Sequence, residues 1–320
     1  PTGLGCFFQK NMIQEYSRIG YHPYIHLRCR VETENSTVEC ALRSQLHISY
    51  EMLKKAKYHG HILRNGAAVF SNATCSQGDL LEVLIDEDKS YPCRPLALPL
   101  DVVYEDAHIL VVNKPAPLPT VLGLNDTCNT LPNALMHYFR EPEHFIYRPL
   151  NRLDSGTSGL MLIAKNAYIQ SCLQKMLHTE DFQREYAALV EHFCMAEEGT
   201  IDLPIARLSV NTWGIHERGK PAQTNYRLLR RNRKFAMLCV QLHTGRTHQI
   251  RLHFAHHGSP VVGDYVYGQE HPLLPGRFGL HSHQIRVKLP YKEEVSIFTA
   301  ALPPVFEQIY ADGAGDPGSY

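Results

Sequence analysis

The sequence predicts an α+β protein built as a small module followed by a larger domain. Two observations carry the division and one carries the class. Two helix-like segments, an Asn-Gly hairpin and an apolar strand fit between Val38 and Ile85. A stretch rich in proline, with Pro92, Pro95 and Pro99, comes after them. From Leu100 to Leu289, short strand-like apolar runs alternate with segments of helical spacing, the pattern of an α+β domain.

Residues 1–35 show no clear period and stay an unassigned N-terminal extension. Residues 36–88 form the module. Val38–Leu46 and Ser49–Tyr58 read as helices, with Ser49 as N-cap and Met52, Leu53 and Ala56 on one face. His61–Arg64 and Ala67–Phe70 read as a hairpin, because Asn65-Gly66 suits a turn whose two central residues need positive φ. Gly78-Asp79 turns the chain into the strand Leu80–Ile85. Residues 89–99 read as a semi-rigid linker, since proline restricts the backbone, so the module is expected to be tethered to the larger domain.

The larger domain is placed at 100–310. Val102–Glu105 and His108–Asn113 read as strands, Lys114–Pro119 as a loop, and Leu131–Phe139 as a helix. Gly159–Ala164 is a buried strand, Ala167–Leu177 a helix, and Glu185–Val190 a strand. Thr224–Leu229 and Phe235–Leu242 pair as strands, and Thr247–His257 is a helix stopped by Gly258. Leu280–Leu289 is a late strand, and the Gly- and Asp-rich tail 311–320 reads as disordered. No internal repeat is visible.

Composition narrows the function. The chain has 320 residues, 44% hydrophobic and 20% charged, ordinary for a globular protein. No apolar run reaches the ~20 residues that span a bilayer, and no secretory signal is seen, so a cytoplasmic, non-membrane protein is expected. The nine cysteines are scattered without a C-x-x-C, which points to reduced thiols instead of disulfides or a zinc ribbon. Net charge is zero, with 32 basic and 32 acidic residues, yet the charge is polarised. Ten Lys or Arg lie between Arg207 and His256 against Glu217 alone; Arg43, Lys54, Lys55, Lys57 and Arg64 face Glu51 alone. Such patches attract a polyanion locally on a neutral molecule.

Three segments hold candidate chemistry. In Arg148-Pro-Leu-Asn-Arg-Leu-Asp154-Ser-Gly-Thr-Ser-Gly159 a carboxylate sits at the mouth of a buried strand. By local pattern Asp154 either caps its own turn through the amides of Ser155–Thr157 or serves chemistry there. In Thr244-Gly-Arg246-Thr-His248-Gln-Ile-Arg251-Leu-His253, Arg251 lies at the edge of an apolar helix face; it either snorkels to water or pairs with a carboxylate. In Arg184-Glu-Tyr186-Ala-Ala-Leu-Val190, Tyr186 shares a strand face with Ala188 and Val190 and by default is a half-buried tyrosine. His248, His253, His256 and His257 have helical metal-ligand spacing, but no carboxylate ligand accompanies them and no H-E-x-x-H occurs, so no metal is expected. Gly156-Thr-Ser158-Gly159 is not a nucleophile elbow, and no phosphate-cradling Gly-rich motif occurs.

Taken in order, these segments resemble a known family. Asn151-Arg-Leu-Asp-Ser-Gly-Thr-Ser-Gly-Leu160 resembles the catalytic segment of RluA-type (RluA/RluD-like) RNA pseudouridine synthases, usually His-Arg-Leu-Asp, two variable residues, then Thr-Ser-Gly. The resemblance continues through Val111-Val-Asn-Lys-Pro115, Glu185-Tyr-Ala-Ala-Leu-Val190 and Gly219-Lys-Pro-Ala-Gln-Thr-Asn-Tyr226. It extends to Thr244–His253, to Gly258-Ser-Pro-Val-Val-Gly-Asp264 with Tyr267-Gly268, and to Leu280-His281. The module at 36–88 resembles, more loosely, the small αL-type RNA-binding domain that often precedes the catalytic domain. Asn151 departs from the usual His, and Ser155-Gly156 replaces a bulkier residue followed by an acid.

The resemblance implies a pseudouridine synthase catalytic fold, a mixed, largely antiparallel β-sheet flanked by helices. It implies Asp154 as nucleophile or base, Tyr186 stacking on the base and serving as general acid–base, and Arg251 paired with Asp154. Arg152 would fill the stack vacated by a flipped uridine, and Arg246 and His248 would touch RNA with Arg43, Lys54, Lys55 and Lys57 of the module. Isomerisation breaks the bond from base nitrogen to ribose, turns the base and rejoins it through carbon 5; neither redox nor phosphoryl chemistry occurs, so no cofactor is expected. The expected partner of this isomerase is structured RNA, ribosomal RNA first and transfer RNA second, bound by a monomer. A non-catalytic RNA-binding or RNA-folding factor that keeps the fold is the alternative.

Overall fold

A strand absent from the sequence reading begins the described chain. β1 (Tyr24–Arg30) buries Ile25, Leu27 and Cys29 on one face and pairs antiparallel, in full register, with β6 (Leu80–Asp86). This computed structural model describes residues 24–58, 61–86, 93–122, 129–140, 146–177, 179–210 and 212–313. The small unit therefore begins at or before residue 24, ahead of the boundary at 36. Its alternation is too short to stand out from the residues before it, and its partner lies at least 50 residues away, beyond the reach of local pattern.

The rest of the unit obeys its turn chemistry. After the short strand β2 (Ser36–Thr37) come α1 (Val38–Gln45), capped by the Thr37 side chain on Cys40 N, and α2 (Tyr50–Tyr58), where Ser49 Oγ accepts from Met52 N. β3 (Ile62–Arg64) and β4 (Ala67–Ala68) flank Asn65 and Gly66 at φ 52° and 81°, the positive pair that the hairpin requires. β5 (Thr74–Cys75) pairs with β2, and the main sheet runs β1-β6-β3-β4.

The unit is docked, not merely tethered. Its apolar face and that of the larger domain share one buried cluster, in which Leu42, Leu46 and Leu53 stand with Ile169, Leu173 and Phe182. Tyr168 Oη donates to Leu46 O at 2.7 Å, and Lys175 Nζ to His47 O at 3.0 Å. The described part of the proline stretch is held too: Asn133 Nδ2 donates to Arg94 O, and Leu96 N to Asn133 O. Residues 87–92 of that stretch lie outside the described chain.

The larger domain is a nine-stranded mixed sheet. In chain order its strands are β7 (Asp101–Glu105), β8 (Ile109–Lys114), β9 (Ser158–Ala164), β10 (Phe182–Glu191), β11 (Glu198–Asp202), β14 (Gln223–Arg231), β15 (Phe235–Leu242), β16 (Leu280–Val287) and β17 (Ser296–Thr299). They lie in the order β11-β14-β15-β10-β16-β9-β8-β7, with β17 also on β16. Every pairing is antiparallel except β16 with β9. A separate ribbon joins β12 (Ile205–Arg207) to β13 (Trp213–Ile215). The sheet carries α3 (Leu131–Phe139), α4 (Ala167–Gln174), α5 (Gln249–His256) and α6 (Pro304–Asp312).

β11–β13, β17 and α6 are additions to the sequence reading; they are short, and the strands owe their existence to pairing more than to pattern. α6 includes Ala311 and Asp312, the start of the tail read as disordered; residues 314–320 lie outside the described chain. α5 begins two residues later than read, because His248 adopts a left-handed φ of 55° that no helix continues. Among the described residues no helix is long and apolar enough to cross a membrane.

Candidate active site

β9 positions the site. Before it, residues 148–151 run alongside: Leu150 N donates to Leu162 O, and Ala164 N to Arg148 O. Asn151 clamps this segment to the strand, its Oδ1 accepting from Leu162 N at 3.0 Å and its Nδ2 donating to Leu160 O at 3.2 Å. The departure from the usual His is thus a buried brace between backbones. The chain then turns through Asp154, whose carbonyl accepts from Thr157 N.

The carbonyls on both sides of Asp154 are anchored. Thr120 Oγ1 donates to Leu153 O at 3.0 Å. Lys114, fully buried at the end of β8, donates from Nζ to Ser155 O, Leu118 O and Pro115 O at 3.2, 2.9 and 3.0 Å. Burial pushes the Lys114 ammonium down to about 7, while the nearby Asp154 carboxylate raises it. Gly156 explains the second departure: a Cβ there would lie 2.9 Å from the Phe278 ring and 3.0 Å from Gly276 O. A bulkier residue there would have to displace that ring.

The Asp154 carboxylate does not cap its own turn. Its Oδ2 accepts from Arg251 Nη1 at 2.9 Å, and the side chain remains about a quarter exposed. Arg251 does not snorkel. It is 2% exposed, and its Nε and Nη2 form a bidentate pair with Asp264 at 2.7 and 2.9 Å. The guanidinium lies 3.9 Å from the Phe278 ring centroid and 5.0 Å from that of Tyr267. Burial opposes its charge, but the Asp264 hydrogen bonds and the two carboxylates outweigh burial and raise its proton affinity. One buried cation thus joins a wholly buried carboxylate to a partly exposed one.

Two further groups border Asp154. His248 Nε2 stands 3.9 Å from Asp154 Oδ1, and its Nδ1 shares a hydrogen bond with Tyr267 Oη at 2.8 Å. Burial lowers the imidazole's proton affinity, with Asp154 opposing and Arg251 adding to the effect. Tyr186, buried on β10, has its hydroxyl raised by burial, with Arg184 lowering it and Asp154 raising it. Arg251, Tyr186 and His248 therefore surround the partly open carboxylate of Asp154.

The remaining candidates stand apart. Arg152 is exposed beside the loop, and Arg246 is half-buried with Nε on Pro221 O at 3.0 Å. Arg43, Lys54, Lys55 and Lys57 occupy exposed positions on α1 and α2, where Glu39 pairs with Arg43 at 3.8 Å and Lys57 at 2.7 Å. His253 engages both ring nitrogens, with Thr224 Oγ1 at 2.9 Å and Leu203 O at 3.0 Å. It is a packing residue, not an open ligand.

Sequence reasoning placed Asp264 and Lys114 within family-like segments but gave neither a role. Charge balance could have found Asp264: a buried arginine facing a partly exposed carboxylate needs a second anion, and Gly263-Asp264 stands 13 residues on. Lys114 gave no such signal, since lysine is rarely fully buried and the Pro-punctuated run reads as an ordinary loop.

Comparisons with known proteins identify the family. The family model for RNA pseudouridylate synthase matches residues 108–256, from β8 through α5. Ribosomal large subunit pseudouridine synthase D of Pasteurella multocida is 34% identical over 252 residues, covering 72% of this chain and 76% of that protein. The protein of the same name from Yersinia pestis is 38% identical, covering 70% and 73%. An uncharacterized RNA pseudouridine synthase of Aquifex aeolicus is 31% identical over 303 residues, covering 89% and 96%. Among solved structures, human RNA Pseudouridylate Synthase Domain Containing 1 aligns with TM-score 0.54 at 25% identity, covering 67% of this chain and 89% of that one. The chain belongs to the RNA pseudouridine synthases, the enzymes that isomerise uridine to pseudouridine in RNA.

Proposed function

We propose that the chain isomerises uridine in large-subunit ribosomal RNA, with Asp154 as the catalytic carboxylate. The observation that carries the site is the Asp154–Arg251–Asp264 bridge. A buried guanidinium fixed from behind by Asp264 presents one N–H to Asp154, so the carboxylate is held in place while one side stays open. The substrate is that of the relatives, which bear the name of ribosomal large subunit enzymes.

Each residue then has a task. Asp154 attacks the ribose or the pyrimidine, or takes a ribose proton, as the bond from base nitrogen to ribose breaks. Tyr186 stacks on the detached base and moves the proton released from carbon 5. Arg251 positions Asp154. The uridine must leave its helix first, at a cost of a few kcal/mol. Arg152, exposed beside Asp154, offsets part of that cost by filling the gap. Arg246, Arg43 of α1 and the lysines of α2 hold phosphates, and units 24–86 and 100–310 serve as RNA-binding and catalytic parts. We propose that it acts in the cytoplasm as a monomer.

The test is tritium release. Large-subunit RNA carrying 5-tritiated uridine should release tritium to water stoichiometrically with pseudouridine formed. Tight binding of that RNA without release would instead favour the non-catalytic RNA-folding reading.

A further inference from the structure

β10 carries another buried guanidinium, one to which the proposed chemistry gives no task. Arg184 is 7% exposed, and its Nε and Nη2 are buried with no hydrogen-bond partner among the described residues. Arg251, buried to a similar degree, holds two carboxylates; Arg184 meets none among the described residues. A dry cation without an anion is among the costliest arrangements a fold can keep. Such a group is kept where its partner arrives from outside.

The position of Arg184 says what arrives. It precedes Tyr186 by two residues, so both point to one face of β10. Its charge and a side-chain hydrogen bond both act on the Tyr186 hydroxyl and lower its pKa, while Asp154 raises it; what stays unpartnered is the Nε and Nη2 side. On its outer side lies exposed Gly245. A Cβ at that position would stand 3.5 Å from Nη1 and 3.8 Å from Nη2. Because residue 245 is glycine, no side chain covers the guanidinium there. Arg246 adds a second cation to the same loop.

We propose that Arg184 is the seat of an RNA backbone phosphate adjoining the target uridine, reached across Gly245. The proposal rests on the reading that RNA occupies this cleft. A uridine brought to Asp154 carries phosphates on both sides, and the unpartnered Nε and Nη2 of Arg184 form a planar edge that matches two phosphate oxygens. The contact fixes where the sugar stops relative to Asp154 and neutralises the charge that would otherwise be unmatched on both sides.

An RNA–protein double-mutant cycle tests it. The probe is a large-subunit rRNA stem-loop that the wild-type chain converts, with methylphosphonates replacing the phosphates around the converted uridine one at a time. Affinity and single-turnover rate are measured for wild type, R184Q, R184K and G245V. One neutralised phosphate should weaken wild-type binding about tenfold or more. R184Q should bind unmodified RNA about as weakly, lose less than about twofold further at that phosphate, and show a salt slope smaller by about 0.7. R184K should retain part of the affinity, and G245V, which covers the guanidinium, should behave like R184Q. If R184Q fails to fold by circular dichroism, G245V closes the cycle. Additive losses, or a wild type indifferent to every methylphosphonate, would overturn the proposal. A wild type that converts no large-subunit RNA would instead overturn the functional reading beneath it.

Discussion

Replacing Arg251 by methionine tests the bridge at the centre of the site. The substitution keeps the volume of the stem but removes the guanidinium that joins Asp154 to Asp264. Asp264, wholly buried, would keep only the amides of Val266 and Tyr267 at 3.0 and 3.1 Å. A buried ion pair broken on one side costs about 3–5 kcal/mol, because the remaining charge is stranded. For a domain of this size that lowers the melting temperature by roughly 10 °C. Activity should fall at least ~100-fold, since Asp154 loses the donor that orients it. A second variant separates the two effects. Arg251→Met with Asp264→Leu removes the stranded charge, so it should recover most of the melting temperature. It should recover none of the activity, because Asp154 remains without its partner. Scanning calorimetry and tritium release on the two proteins give the answer. If Arg251→Met melts within about 2 °C of wild type and turns over at its rate, the bridge has neither the structural nor the catalytic weight given to it.

Other perturbations have equally definite outcomes. His281 is buried, hydrogen-bonded to Ser158 Oγ at 2.8 Å, and held by burial down to about 4 from an ordinary 6.5. The unfolded chain therefore takes up a proton that the folded chain refuses between those values. Stability should fall by about 3 kcal/mol as pH drops from 7 to 4, and His281→Gln should flatten that part of the stability–pH curve. Gly156→Ala drives a methyl into the Phe278 ring that packs on Arg251; a loss of about 1–3 kcal/mol with reduced turnover is expected in urea melts and kinetics. Deleting residues 1–86 strips the buried cluster shared with α4 and the Tyr168–Leu46 hydrogen bond. The truncated chain should melt earlier and bind long RNA with a shallower salt dependence; an unchanged melting temperature would restore the picture of a tethered clamp.

What the sequence disclosed and what it hid have physical causes. Elements whose apolar period or turn chemistry is local were legible: β9 as a continuous buried run, the hairpin at Asn65-Gly66, α2 behind its Ser49 cap. β1 was not, although Ile25, Leu27 and Cys29 alternate, because nothing nearby in the chain announces the β6 partner. Local pattern left Asp154, Tyr186 and Arg251 open to plain structural roles and the family resemblance gave them their tasks, because their meeting depends on β9, β10 and α5 being brought together by the sheet. Asp264 and Lys114 escaped for a related reason. Each matters through partners that only tertiary structure supplies, and a lone Asp or Lys in a loop carries no sign of burial. The packing of the N-terminal unit was hidden because proline-rich composition reports backbone stiffness, not whether the segment is docked.

The most direct measurement is the fate of 5-tritiated uridine with Asp154→Asn. The amide keeps the shape of the side chain but cannot supply a charged carboxylate. The variant should fold, bind large-subunit RNA with near wild-type affinity, and release no tritium above background in a single turnover. Appreciable pseudouridine from well-purified Asp154→Asn protein would contradict the account.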